Sequence, residues 1–167
     1  RANEKAKQKQ SENDFDNAEN IMSELDDIFP MNQTRRGMSE DEENAKIEKI
    51  LDESAGPTGE SAADRQARKE SLLNKMYSIV IVSYPASVLF ETDTLLGDKM
   101  VIKLNSNHPY YQKVIDPLCG AAIKADTAED SLEKTRVRDA IMLLLLSYIK
   151  ARAVLKDTDN NLSLIHI

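Results

Sequence analysis

The stretch Ser87 to Leu118, SVLFETDTLLGDKMVIKLNSNHPYYQKVIDPL, constrains the fold more than any other part of the chain. Two alternating runs, Val88 to Thr92 and Met100 to Leu104, flank a Gly97-Asp98 turn, so the segment predicts a β-hairpin. Met100, Ile102 and Leu104 fall on one face and Val101 and Lys103 on the other, the period of a half-buried strand. A helix follows at once. Asn107 and His108 stand at its N-cap end, Pro109 presets φ for the first turn, and Tyr111, Val114, Ile115 and Leu118 recur at helical spacing. Pro117 keeps this helix short, because its ring removes a donor and pushes Asp116 out of the α region.

The order hairpin, "VIKLNSNHPYYQKVIDPL", then a leucine-rich helix "VRDAIMLLLLSYIKARAVL" resembles the C-terminal region of ATP-binding proteins of the histidine kinase, gyrase and MutL-like (GHKL) superfamily. In that family a pattern of the type strand-L-N-x-x-H-P-aromatic-Tyr lies well downstream of the nucleotide-binding domain. The likeness runs from Ile79 to Lys156. It implies an origin in a larger ATPase that uses ATP and magnesium, with the upstream ATP-binding domain of the same chain as partner. It places no active site in this stretch.

The two ends predict a fragment. No initiator methionine precedes Arg1, and Ala2 to Gln10 is already strongly helix-forming. Leu162 to Ile167, "LSLIHI", resembles the in-frame translation of an adapter used in sequencing libraries, which removes His166 from any site argument. An ordinary apolar tail is the alternative.

At 167 residues the length suits one domain, but apolar residues are sparse before Leu72 and dense after it. The expectation is therefore a charged helical arm and linker over residues 1–60, a compact α+β region over 61–157, and a disordered tail over 158–167. A net charge of −7 argues against nonspecific nucleic-acid binding, which needs a basic surface to displace counterions. Arg136, Arg138, Lys150, Arg152 and Lys156 form a local basic cluster that reads as a solvated helix face. Cys119 is the only cysteine, so no intrachain disulfide can form and a reducing cytoplasm is the natural compartment. The apolar run Ala140 to Leu146, bounded by Asp139 and Lys150, falls short of the roughly 20 residues a bilayer demands. It reads as a core helix, apolar nearly all round.

Phe15, Ala18, Met22, Leu25 and Phe29 alternate at spacings of three and four, a narrow heptad-like seam that Pro30 ends. The seam suits a core-facing amphipathic helix or a dimerising coiled coil and hence a homodimer; barely two heptads favour the core. Met31 to Met38 is a polar linker. A second helix starts at Ser39, where Glu42 completes a capping box, and carries one short stripe of Ile47, Ile50 and Leu51 before Gly56-Pro57-Thr58-Gly59 breaks it. A third runs from Ser61 to about Lys75, with Asp64 in its first turn. Ile79 to Val82 is a run of β-branched residues, a strand covered on both faces. Thr127 and Asp130 open the last long helix.

The chain offers few residues in catalytic or ligand-binding patterns. A GHKL nucleotide site needs Glu-x-x-x-Asn, Asp-x-Gly-x-Gly and a glycine-rich lid. Glu40 and Asn44 fit the first spacing, but on a solvent-loving helix, and the five glycines never fall as Gly-x-Gly. His108 and Cys119 are too few for a zinc site, and His108 before a proline reads as a helix-capping side chain. Asn105 reads as a strand-end turn residue and Tyr111 as a core aromatic with its hydroxyl at the rim. Asn105, His108 and Tyr111 therefore form an interaction or structural motif, with no catalytic, cofactor-binding or metal residue assigned. The fold expected is α+β, a small antiparallel sheet with a hairpin, packed by a long C-terminal helix from Arg138 to Leu155 through Ile141, Leu144, Leu145 and Tyr148. The function expected is that of a non-catalytic linker or transducer that braces the nucleotide domain or relays its closure; the alternative is a free-standing helical scaffold without ATPase activity.

Overall fold

The computed structural model describes residues 14–28, 37–54, 60–85, 87–120 and 127–164. Four helices and three strands follow one another: α1 (Asp16–Ile28), α2 (Glu40–Ser54), α3 (Ala62–Asn74), β1 (Tyr77–Val82), β2 (Phe90–Thr94), β3 (Met100–Asn105) and α4 (Ala128–Leu164). The expected α+β class is what the chain adopts. Local chemistry sets the helix starts. Ser39 and Glu42 exchange two hydrogen bonds across the first turn of α2, at 2.9 and 3.2 Å. The Ser61 hydroxyl accepts from the Asp64 amide at 3.1 Å, and Thr127 accepts from Asp130 at 3.1 Å.

The hairpin forms with β2 two residues later than Val88 to Thr92. Gly97 and Asp98 both take positive φ, 71° and 59°, the left-handed pair that a tight hairpin connection needs. The sheet, however, is mixed and not antiparallel. Its order is β1-β3-β2, with β1 parallel to β3 and β2 antiparallel to it. Because the chain leaving Val82 crosses the end of the sheet before starting β2, the hairpin's return strand inserts between the two.

Both faces of the sheet are covered, which corrects the half-buried reading of β3. On one side Tyr77, Ile79, Met100, Ile102 and Leu104 share a core with Phe15 just before α1, Ala18 and Met22 of α1, and Met142, Leu146, Ile149 and Ala153 of α4. On the other, Val80, Val82 and Val101 pack with Ile47, Ile50 and Leu51 of α2 and Leu72 of α3. The segment expected as a charged helical arm and linker thus supplies cover to both faces, through α1 and α2. Sparse stripes suffice because each need only fill one side of a narrow sheet. Leu25 of the α1 seam is exposed, and Phe29 lies outside the described residues, as do most of the linker at 31–38 and all of 56–59.

Lys103, expected to face solvent, lies buried under α2. Its ammonium reaches Glu53 at 3.0 Å, Asp93 at 3.1 Å and Glu91 at 3.4 Å. Burial alone would lower its pKa, but the hydrogen bonds it donates to Glu53 and Asp93 outweigh that and raise it. Glu43 of α2 accepts from the Leu96 amide at 3.0 Å, and Lys46 donates to the Thr94 carbonyl at 3.2 Å, so α2 grips the hairpin tip as well.

Of the face expected on the long helix, Ile141 and Leu145 are partly buried against the core, and Leu144 and Tyr148 are not. Met142, Leu146, Ile149 and Ala153 are buried, whereas Leu144 and Tyr148 are 73% and 56% exposed. A helix apolar nearly all round gives no periodicity from which to choose a buried side, and packing alongside α1 chose it. Backbone helix also runs on to Leu164, past residue 158 where a tail was expected. No glycine or proline follows Gly120 to stop it, and propagation adds a hydrogen bond for each residue fixed. Residues 165–167 lie outside the described ones.

Leu146→Ala should cost about 2–5 kcal/mol in denaturant melts, while Leu144→Ala should stay within about 0.5 kcal/mol. Equal losses would mean that the buried face of α4 is misassigned.

Candidate functional site

Asn105, His108 and Tyr111 lie together at the C-terminal end of the central strand, where the β1–β2 connection crosses. Asn105 is fully buried and spends its polar atoms on that crossing. Its Oδ1 accepts from the Asn107 amide at 3.1 Å and, more weakly, from the Tyr84 amide at 3.5 Å. Its Nδ2 donates to the Val88 carbonyl at 3.2 Å, its backbone N–H to Leu89 at 2.9 Å, and its carbonyl accepts from the His108 amide at 3.1 Å. Ser106 and Asn107 add bonds to Val82 and Ser83. One side chain therefore ties the chain before β2 to the chain after β3.

His108 caps the turn that follows: its Nδ1 accepts from the Tyr110 amide at 3.1 Å. Tyr111 is buried in the core, and burial first, with Cys119, Asp116 and Asp14 nearby, pushes its hydroxyl pKa up. The helix begun at Pro109 widens over Tyr111–Ile115 into a π turn, in which the Asp116 amide reaches back five residues to the Tyr111 carbonyl. This corrects the expectation for Pro117. Asp116 keeps helical φ and ψ of −55° and −42°, and the helix accommodates the proline by widening before it.

No nucleophile and base pair emerges from these groups. The Cys119 thiol is buried and donates to the Ile115 carbonyl at 3.3 Å; desolvation, with Asp14 next, pushes its pKa up to about 12. Glu40 and Asn44 are exposed on α2. Among the described residues no group of three or more His, Cys, Asp or Glu could hold a metal ion, and no helix is long and apolar enough to cross a membrane.

Sequence reasoning missed the buried charges that join α1 to α4. Arg138 bonds Asp14 at 2.9 Å and Asp139 at 3.3 Å, while Asn17 donates to Asp139 at 2.7 Å. One end further on, Lys150 pairs with Asp26, which also accepts from the Tyr77 hydroxyl at 2.9 Å. Both ion pairs span the same 124 positions, so α1 and α4 run parallel and are clamped twice. Two members of the basic cluster thus have buried partners, which corrects its reading as a solvated face. The signal was present as two equal 12-residue intervals, Asp14 to Asp26 and Arg138 to Lys150 (26 − 14 = 150 − 138).

Glu19 of α1 closes the outer edge of β1. Its carboxylate accepts from the Ile79 amide at 2.6 Å and from Lys75 at 2.7 Å, and Lys75 also reaches Asp16 at 2.6 Å. Burial raises the Glu19 pKa in spite of Lys75. Lys75, more accessible to water, is also raised: the bonds from Asp16 and Glu19 outweigh its own desolvation.

Compared with protein-family models, curated proteins and solved structures, the chain matches none. What this site can do is therefore read from its chemistry, and that chemistry is positional: backbone groups are satisfied and a crossing is fixed.

Asn105→Ala should destabilise the protein by about 2–3 kcal/mol, since it strands buried backbone groups of the crossing. A loss close to zero in urea melts would deny Asn105 this role. Glu19 supplies a test of sign. With its folded pKa above the ordinary 4.5, the folded state holds this proton more tightly than the unfolded chain. Its contribution is fully present below 4.5 and is lost as pH rises through the folded value. Relative to Glu19→Gln, the wild-type protein should thus lose stability as pH rises above about 4.5; a gain over that range would reverse the assignment.

Proposed function

We propose that this chain is a non-catalytic bracing or relay region of a GHKL-type ATP-binding protein, which couples closure of an upstream nucleotide domain to a partner. One observation carries the reading. The segment that resembles the superfamily, Leu104 to Tyr111, spends its Asn and His side chains on holding its own backbone and keeps Tyr111 in the core. Such a segment suits a rigid connector and leaves no side chain poised for catalysis. ATP and magnesium belong, on this reading, to the upstream domain of the same chain, and a reducing cytoplasm suits the single buried thiol.

The alternative, a free-standing interaction or scaffold protein, draws its support from the exposed apolar side chains on α4. The two readings separate by experiment. Calorimetric titration of this chain with ATP and magnesium should give no binding heat, and hydrolysis should stay at background. Sequencing the locus upstream of Arg1 should reveal Glu-x-x-x-Asn, Asp-x-Gly-x-Gly and a glycine-rich lid in frame. A continuous upstream frame without them would reject the ATPase reading and leave the scaffold.

A further inference from the structure

The segment from Asp14 to Ile28 is fastened to the molecule by charge and by few apolar side chains. Phe15, Ala18 and Met22 are three of the fifteen buried residues of their core, and Leu25 is exposed. The other fastenings are polar: Asp14 to Arg138, Asp16 and Glu19 to Lys75, Asn17 to Asp139, and Asp26 to Lys150 and the Tyr77 hydroxyl. A charge released from such a pair regains its hydration, so undoing the pairs costs less than their number suggests.

The helix has little hold on its own shape. α1 is 13 residues long, a length at which even alanine-rich helices are marginal in water. Five of the 13 are Asp or Glu and none is Lys or Arg, and Asp26 and Asp27 stand in the last turn, where the helix dipole disfavours negative charge. Asn17, Asn20 and Ser23 are weak helix formers. This segment is therefore helical because it is seated. Its seat covers a strand edge. β1 pairs with β3 on one side only, and on the other Glu19 accepts from the Ile79 amide at 2.6 Å. A carboxylate of α1 thus fills the place that the carbonyl of a further strand would take, and an uncovered edge is a template for pairing with another chain.

We propose that α1 is a releasable strap: Asp14 to Ile28 leaves its seat and unfolds as one unit, while the sheet, α2, α3 and α4 stay folded and the outer edge of β1 is laid open. The sheet keeps its ladder and, on the far face, its cover of α2 and α3. On the near face Tyr111, Ile115 and the Met142, Leu146 and Ile149 side chains of α4 remain. The closed form withholds the edge of β1 and the open form presents it. This inference stands whether or not an ATPase domain lies upstream.

Native-state hydrogen exchange on the full chain tests the strap. Amides of α1 should exchange about tenfold or more faster than those of β3 and of α4 around Leu146. Their rate should also respond far less to low urea, because opening the strap exposes less surface than unfolding the whole chain. The Ile79 amide should exchange with α1 although it lies in a strand, since its acceptor leaves with the strap. Ile50→Val, in the core on the far face, should speed β3 about fivefold and leave α1 and Ile79 unchanged, because the strap opens without disturbing that core. A common rate and a common urea dependence for α1 and β3 would overturn the proposal. So would an α1 that speeds with β3 in Ile50→Val, an α4 that exchanges with α1, or an Ile79 amide that follows β3.

Discussion

A three-stranded sheet whose central strand is buried on both sides cannot stand alone in water, and the rest of this molecule answers that constraint. Hairpin and parallel strand together expose two apolar surfaces, and three strands give too little area to be stable without cover. α1 and α4 close one surface and α2 and α3 the other. Each helix is poor by itself. Its stripe becomes sufficient because the sheet supplies the opposite wall.

Charge performs the registration that a small core cannot. α1 is held against α4 by two ion pairs with one common offset, against the edge of β1 by Glu19, and α2 is held to the hairpin by Glu43, Lys46 and the Lys103 cluster. Such pairs contribute less to net stability than their number suggests, because taking each charge out of water offsets much of the attraction. Their effect is selective. A register in which Arg138 lost Asp14, or Lys103 lost its three carboxylates, would leave a buried charge short of partners.

The Asn105 knot and the free face of α4 place different demands on the molecule. The knot lies where three backbone segments converge, and its polar groups are turned inward on each other, which suits a rigid joint. Leu144 and Tyr148 of α4, by contrast, are turned outward to solvent.

The sequence by itself determined the elements whose causes are local. Ser39 with Glu42, Ser61 and Thr127 set helix starts through bonds three residues long, Gly97-Asp98 set the hairpin turn, and Ile47, Ile50 and Leu51 marked the buried stripe of α2. Asn105 and His108 were legible as backbone-binding residues for the same reason. Only the tertiary structure decided that β3 lies between β1 and β2, that Lys103 is buried, that Leu146 rather than Leu144 faces the core, and that Asp14 and Asp26 meet Arg138 and Lys150. Periodicity reports which side chains share a face, not what that face meets. For a helix apolar all round it does not report even that, and partners such as Glu53 for Lys103 and Asp14 for Arg138 lie 50 and 124 residues away in the chain.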